Sequence, residues 1–101
     1  MDLRSDYLAT IQAILQKRVP FAEVRVFGSR VTGTAKKHSD IDLAIVSKSP
    51  LESSMLSQLK IDFEESDLPF RVDLLDWHAI NDRFRELILK KYEVIWKGQE
   101  P

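Results

Sequence analysis

Two aspartates one residue apart, Asp40 and Asp42, head the apolar run Ile41–Val46 in the stretch FGSRVTGTAKKHSDIDLAIV, residues 27–46. If that run is a β-strand, side chains at i and i+2 leave the same face with Cα atoms about 6.5 to 7 Å apart. Carboxylates at that separation lean together onto one divalent ion, or onto two lying about 3.5 to 4 Å apart. Mg²⁺ suits such a pair, because it takes oxygen ligands and completes its shell with water and substrate phosphates. Without a cation the two anions repel, and each raises the pKa of the other. A third carboxylate, Asp73, sits in a second apolar run, RVDLLD, on the same alternating face as Arg71 and Leu75. If the two strands are neighbours, three carboxylates meet on one patch.

Blander pairings compete with this reading. Asp40 after Ser39 suits a turn or cap, Asp42 has Arg71 or Lys36 as ion-pair partners, and Asp73 has its neighbouring arginine. An EF-hand calcium loop is excluded, because a strand follows at once where a Gly-containing acidic loop ending in Glu is needed. Asp76 falls on the opposite face by alternation and reads as a turn or helix-cap residue before Trp77, not as a ligand.

Some ten residues upstream of the aspartates stands Gly28-Ser29. A backbone that closely approaches a phosphate needs a residue without Cβ. Successive N–H groups of such a turn form an anion nest, to which the Ser29 hydroxyl adds a donor. A tight turn leaving a strand is the simpler role for Gly-Ser taken alone. Arg30, Lys36, Lys37 and His38 bring positive charge beside the site, and each either touches a phosphate or faces water. A Walker A loop is excluded: Thr34 stands where its lysine belongs, Ala35 where its Ser or Thr belongs, and a strand follows instead of a helix.

The elements that must position these groups follow from periodicity. Apolar residues at spacings of three and four predict a helix over Leu3–Val19, ended by Pro20. Alternation around Val24 and Val26 predicts a strand that Gly28 breaks, with one helical turn after it. Ile41–Val46 reads as a strand covered on both faces, Leu51–Phe63 as a second main helix, and FRVDLLDW as a third strand. Trp77–Tyr92 reads as one last helix, and EVIW as either an edge strand or a frayed tail. The order α-β-β-α-β-α(-β) predicts an α/β (α+β) fold, a small mixed sheet with helices mainly on one face.

The chain of 101 residues is expected to form a single domain over 1–101. A formal net charge of -1 argues against direct nucleic-acid binding, so an anionic ligand needs local groups or a metal. The absence of cysteine removes disulfides, thiolate zinc sites and thiol catalysis. With no signal-like segment and no membrane-length apolar run, the expectation is a cytoplasmic protein without a membrane partner.

GSRVTGTAKKHSDIDLAIV, followed by the aspartate of RVDLLD, resembles the nucleotidyltransferase superfamily that includes DNA polymerase β. The short chain and the wording SDIDLAIV look most like its minimal members, the MNT or MntA-type proteins. The resemblance implies a nucleotidyltransferase fold in which Gly28 and Ser29, with Arg30 and Ser39, hold the nucleotide. It implies that Asp40, Asp42 and Asp73 bind Mg²⁺, with Asp73 either a metal ligand or a general base. It further implies transfer of AMP from ATP to a hydroxyl of a partner, a HEPN-domain toxin encoded by a neighbouring gene. In that arrangement the nucleotidyltransferase is the antitoxin of a type VII toxin-antitoxin system and modifies a tyrosine. The alternatives are a small-molecule acceptor, as in aminoglycoside-modifying relatives, and a noncatalytic subunit that masks its partner by contact. A homo-oligomer is left open.

Overall fold

Alternating apolar residues build a mixed sheet of four strands, in the order β3-β2-β1-β4. In the computed structural model the described residues are 3–33 and 40–98, so Lys36, Lys37, His38 and Ser39 lie outside them. The chain runs α1 (Ser5–Arg18), β1 (Glu23–Phe27), the single-turn α2 (Ser29–Thr32), β2 (Ile41–Val46), α3 (Ser53–Glu64) and β3 (Val72–Asp76). A 3₁₀ turn (Trp77–Ala79), α4 (Asp82–Lys90) and β4 (Glu93–Lys97) follow. β1 lies antiparallel to both β2 and β4, whereas β2 and β3 are parallel.

The period of two decides which face is dry. Val24 pairs with Ile45 and Val26 with Leu43, and these four side chains are fully buried along with Ile41. Ile11 and Leu15 of α1 and Leu59 and Phe63 of α3 close over that face. Each fully buried side chain of this size contributes about 1.5–3 kcal/mol. The two helices are tied to each other by Arg18, whose Nε lies 2.6 Å from Asp62 Oδ2. α1 stops where Val19 N–H turns back to the Leu15 carbonyl and Pro20, with no N–H, follows.

The opposite face carries Arg25, Phe27, Asp42 and Asp73 and is covered in part by the last third of the chain. The Arg25 guanidinium lies 4.9 Å from the ring centres of both Trp77 and Tyr92, and Phe27 meets Phe84 edge-on at 6.0 Å. The expected single helix over Trp77–Tyr92 is two pieces. Ile80 is extended, and Asn81 starts a new helix by accepting the Phe84 N–H at 2.8 Å. A capping asparagine inside an apolar periodicity ends one turn and begins another. EVIW is an edge strand, β4, rather than a tail.

After β4, Gly98 donates its N–H to the Ala22 carbonyl at 2.9 Å. A Cβ at this position would overlap the Pro20 carbonyl and the backbone of Phe21 and Ala22. Gly98→Ala is therefore expected to cost about 1–3 kcal/mol. Thermal melting checks it: a drop of several degrees is the expected result, at roughly 4–8 °C per kcal/mol for a domain of this size.

Candidate active site

Strand β1 delivers the first component. It ends at Phe27, the register partner of Asp42, and Gly28 then turns the chain into α2 with φ 79° and ψ -153°. That conformation is essentially reserved for glycine. The Gly28 carbonyl accepts the N–H groups of Val31 and Thr32 at 3.0 and 3.1 Å, closing the turn. The first N–H groups of such a turn have no helical acceptor and suit an anion. A Cβ on Gly28 would run into Asp42 Oδ2, so the glycine leaves room for that carboxylate as well as for the turn.

Strands β2 and β3 deliver the carboxylates. Asp42 and Asp73 are register partners across the parallel pair, and Asp40 stands just before β2. Neighbouring strands lie about 4.8 Å apart, so the three acids share one patch at the head of the sheet. Burial above all, then the charges of Asp73 and Asp40, push the Asp42 carboxyl above the usual carboxylate range. Arg71 faces the other two: its Nη2 is 3.5 Å from Asp40 Oδ2 and its Nε 3.4 Å from Asp73 Oδ1. The ion pair weighed for Asp42 with Arg71 is thus made by its neighbours instead.

The residues fit a divalent cation in kind and in electrostatics. The donor set is all oxygen, one member is penalised as an anion, and a guanidinium already balances the other two. As now oriented, no group of three His, Cys, Asp or Glu side chains among the described residues is gathered closely enough to hold an ion. Asp40 and Asp73 are each 44% exposed, which leaves their carboxylates room to rotate.

Arg30 departs from one reading of the sequence. It does not face water: it is buried, and its guanidinium lies 4.6 Å from the ring centre of Phe70. Ser29 opens α2 and is half-buried, whereas Ser39 lies outside the described residues. A groove of about 820 Å³ runs beside the acids, lined by Asp42 and Asp73 and by Phe27, Phe70, Leu75 and Phe84. Sequence reasoning did not assign the aromatic wall. Phe27 carried a signal, since alternation puts it on the face opposite Val26, whereas Phe84 carried only its place in the apolar stripe of the last helix.

Asp76 fills the capping role expected of it. Buried at the end of β3, it accepts the His78 N–H at 3.0 Å and the Leu51 N–H at 2.9 Å. His78 Nε2 also lies 2.6 Å from the Ser47 carbonyl, so this clasp ties β3 to the loop after β2. Asp76→Ala would orphan two backbone donors at about 1–3 kcal/mol for each one buried. Its expected signature is a lower melting temperature, with nucleotide affinity unchanged wherever the variant remains folded.

Fold and site together define a class. Residues 9–101 match the family described as "Polymerase beta, Nucleotidyltransferase", and the chain belongs to it. It is a nucleotidyltransferase, with a nucleotide as substrate. Over 100 residues it is 54% identical to "Probable protein adenylyltransferase MntA" of Haemophilus influenzae, covering 99% of this chain and 88% of that protein. Among solved structures, a toxin-antitoxin with AMP-PNP superposes with a TM-score of 0.75 at 25% identity, over 91% of this chain and 74% of that one. The tri-AMPylated Shewanella oneidensis HEPN toxin in complex with MNT antitoxin gives a TM-score of 0.71 at 20% identity, over 96% of this chain and 75% of that one. That last likeness establishes a shared fold.

Proposed function

We propose that this chain transfers AMP from ATP to a protein hydroxyl, with Mg²⁺ held by Asp40, Asp42 and Asp73, and so serves as the antitoxin of a toxin-antitoxin pair. The observation that carries the reading is the parallel register of Asp42 and Asp73 beside a glycine turn that makes room for Asp42. A relative with 54% identity named as a protein adenylyltransferase supports the acceptor class, and a toxin-antitoxin neighbour with AMP-PNP supports an adenine nucleotide. The acceptor we assign is a tyrosine of a HEPN-type toxin from a neighbouring gene, as the motif resemblance implies.

In this scheme the turn at Gly28-Ser29 receives the triphosphate through backbone N–H groups and the Ser29 hydroxyl. Bound Mg²⁺ would neutralise phosphate charge and favour loss of the hydroxyl proton. The acceptor oxygen attacks the α-phosphorus, the bond to the β-phosphate oxygen breaks, and pyrophosphate leaves. The carboxylate patch orients the reacting groups and receives the proton. Catalysis of this kind is positioning plus electrostatics. Intact-mass measurement of the partner after incubation with the protein, ATP and Mg²⁺ tests the proposal. Addition of whole AMP units with release of pyrophosphate is expected, and an unmodified partner that is nonetheless bound and silenced would replace transfer with masking by contact.

A further inference from the structure

We infer that Arg71 is the exchangeable counter-ion of the carboxylate patch, holding Asp40 and Asp73 while the site is empty and yielding them when metal and nucleotide load. The inference rests on the metal-binding role proposed above. Its geometry is a bridge: one guanidinium reaches Asp40 Oδ2 at 3.5 Å through Nη2 and Asp73 Oδ1 at 3.4 Å through Nε. Asp40 stands just before β2 and Asp73 lies in β3, so this one side chain spans the β2–β3 seam at the mouth of the site. Its backbone is fixed there, because the Arg71 carbonyl accepts the Ile41 N–H at 3.0 Å. Only the side chain is left to move.

An exchangeable ion must be near, permanently charged and weakly held. Arginine stays protonated at any working pH, so it can vacate the acids only by swinging away. Its side chain is 73% exposed and the contacts are long, and ion pairs of that kind are weak. Asp42 stands outside the bridge, as the register partner of Asp73 on the neighbouring strand. A divalent ion in the patch offers Asp40 and Asp73 a better partner than the guanidinium does. Metal affinity then becomes a competition, and Arg71 sets its level.

Titrating Mn²⁺ without nucleotide, with free Mn²⁺ followed by electron paramagnetic resonance, measures that competition. The wild-type protein is compared with Arg71→Gln, Arg71→Lys and the Asp40→Ala/Asp42→Ala double variant. Arg71→Gln is expected to bind Mn²⁺ roughly 2- to 10-fold more tightly, the range that releasing two exposed ion pairs allows. Its metal-free melting temperature should fall below wild type, and the gap should close at saturating Mn²⁺. Arg71→Lys, a point charge without the fork, should lie between the two, and it carries the test if the glutamine variant does not fold. Equal or weaker Mn²⁺ binding by a cooperatively melting Arg71→Gln would overturn the inference alone. No Mn²⁺ binding by the wild type, matching the double aspartate variant, would overturn the metal site itself and the inference with it.

Discussion

Replacing Asp42 with asparagine is expected to lower nucleotidyl transfer on the order of 10³-fold, the scale of several kcal/mol of lost charge stabilisation. The same change should raise the melting temperature of the metal-free protein. Both effects have one cause. Asp42 sits half-buried, with Asp73 as its register partner and Asp40 two residues away, and its carboxyl is pushed above the usual range by burial and by those two charges. A raised carboxyl favours the protonated form in the folded state. Its contribution to stability is therefore full below the unfolded-state pKa and is lost as pH rises through the folded one. Near neutral pH the metal-free fold carries this penalty, and asparagine removes it. Relief of such functional strain commonly yields about 0.5–2 kcal/mol. Melting curves of both proteins in chelator, from about pH 4 to about pH 8, should converge at the acid end and separate toward neutrality.

The second large effect is expected at Gly28. Alanine there meets two obstacles: a backbone at φ 79° and ψ -153°, and the Asp42 carboxylate in the space the methyl would need. The conformation alone costs about 1–3 kcal/mol. If the turn relaxes instead, the N–H groups proposed to receive the phosphates and Asp42 move apart, and a displacement on the order of 1 Å can cost about 10²-fold in rate. Gly33→Ala is the control. It also has a positive φ, 81°, but in the ordinary left-handed region and with open space around it. Gly33→Ala should lose some stability, about 1 kcal/mol, and keep most of its activity. Side-by-side melting and transfer rates separate the two glycines.

Much of this site is legible in the sequence because short periods encode it. The alternation DIDLAIV puts Asp42 opposite Leu43 and Ile45, and RVDLLD does the same for Asp73 against Leu74, so both faces follow once each run is a strand. The break at Gly28 and the helical turn after it are also written locally. Three features are not. The side-by-side placement of β2 and β3 depends on α3 crossing between them, so the pair of Arg71 with its neighbour Asp73 is legible in the sequence while its second partner is Asp40 rather than Asp42. Arg30 turns inward onto Phe70, a residue 40 positions away that no local pattern pairs with it. The periodicity from Trp77 to Tyr92 conceals the stop at Ile80, because apolar spacing continues across it while the Asn81 side chain begins a new helix.

Which phosphorus is transferred separates adenylylation from its alternatives most directly. The protein, Mg²⁺ and the product of the neighbouring gene would be incubated with ATP radiolabelled at either the α- or the γ-phosphate. Label on the partner from α-labelled ATP only, abolished in the Asp40→Ala/Asp42→Ala variant, is the predicted result. Label arriving from γ-labelled ATP, or arriving undiminished with the double variant, would contradict it.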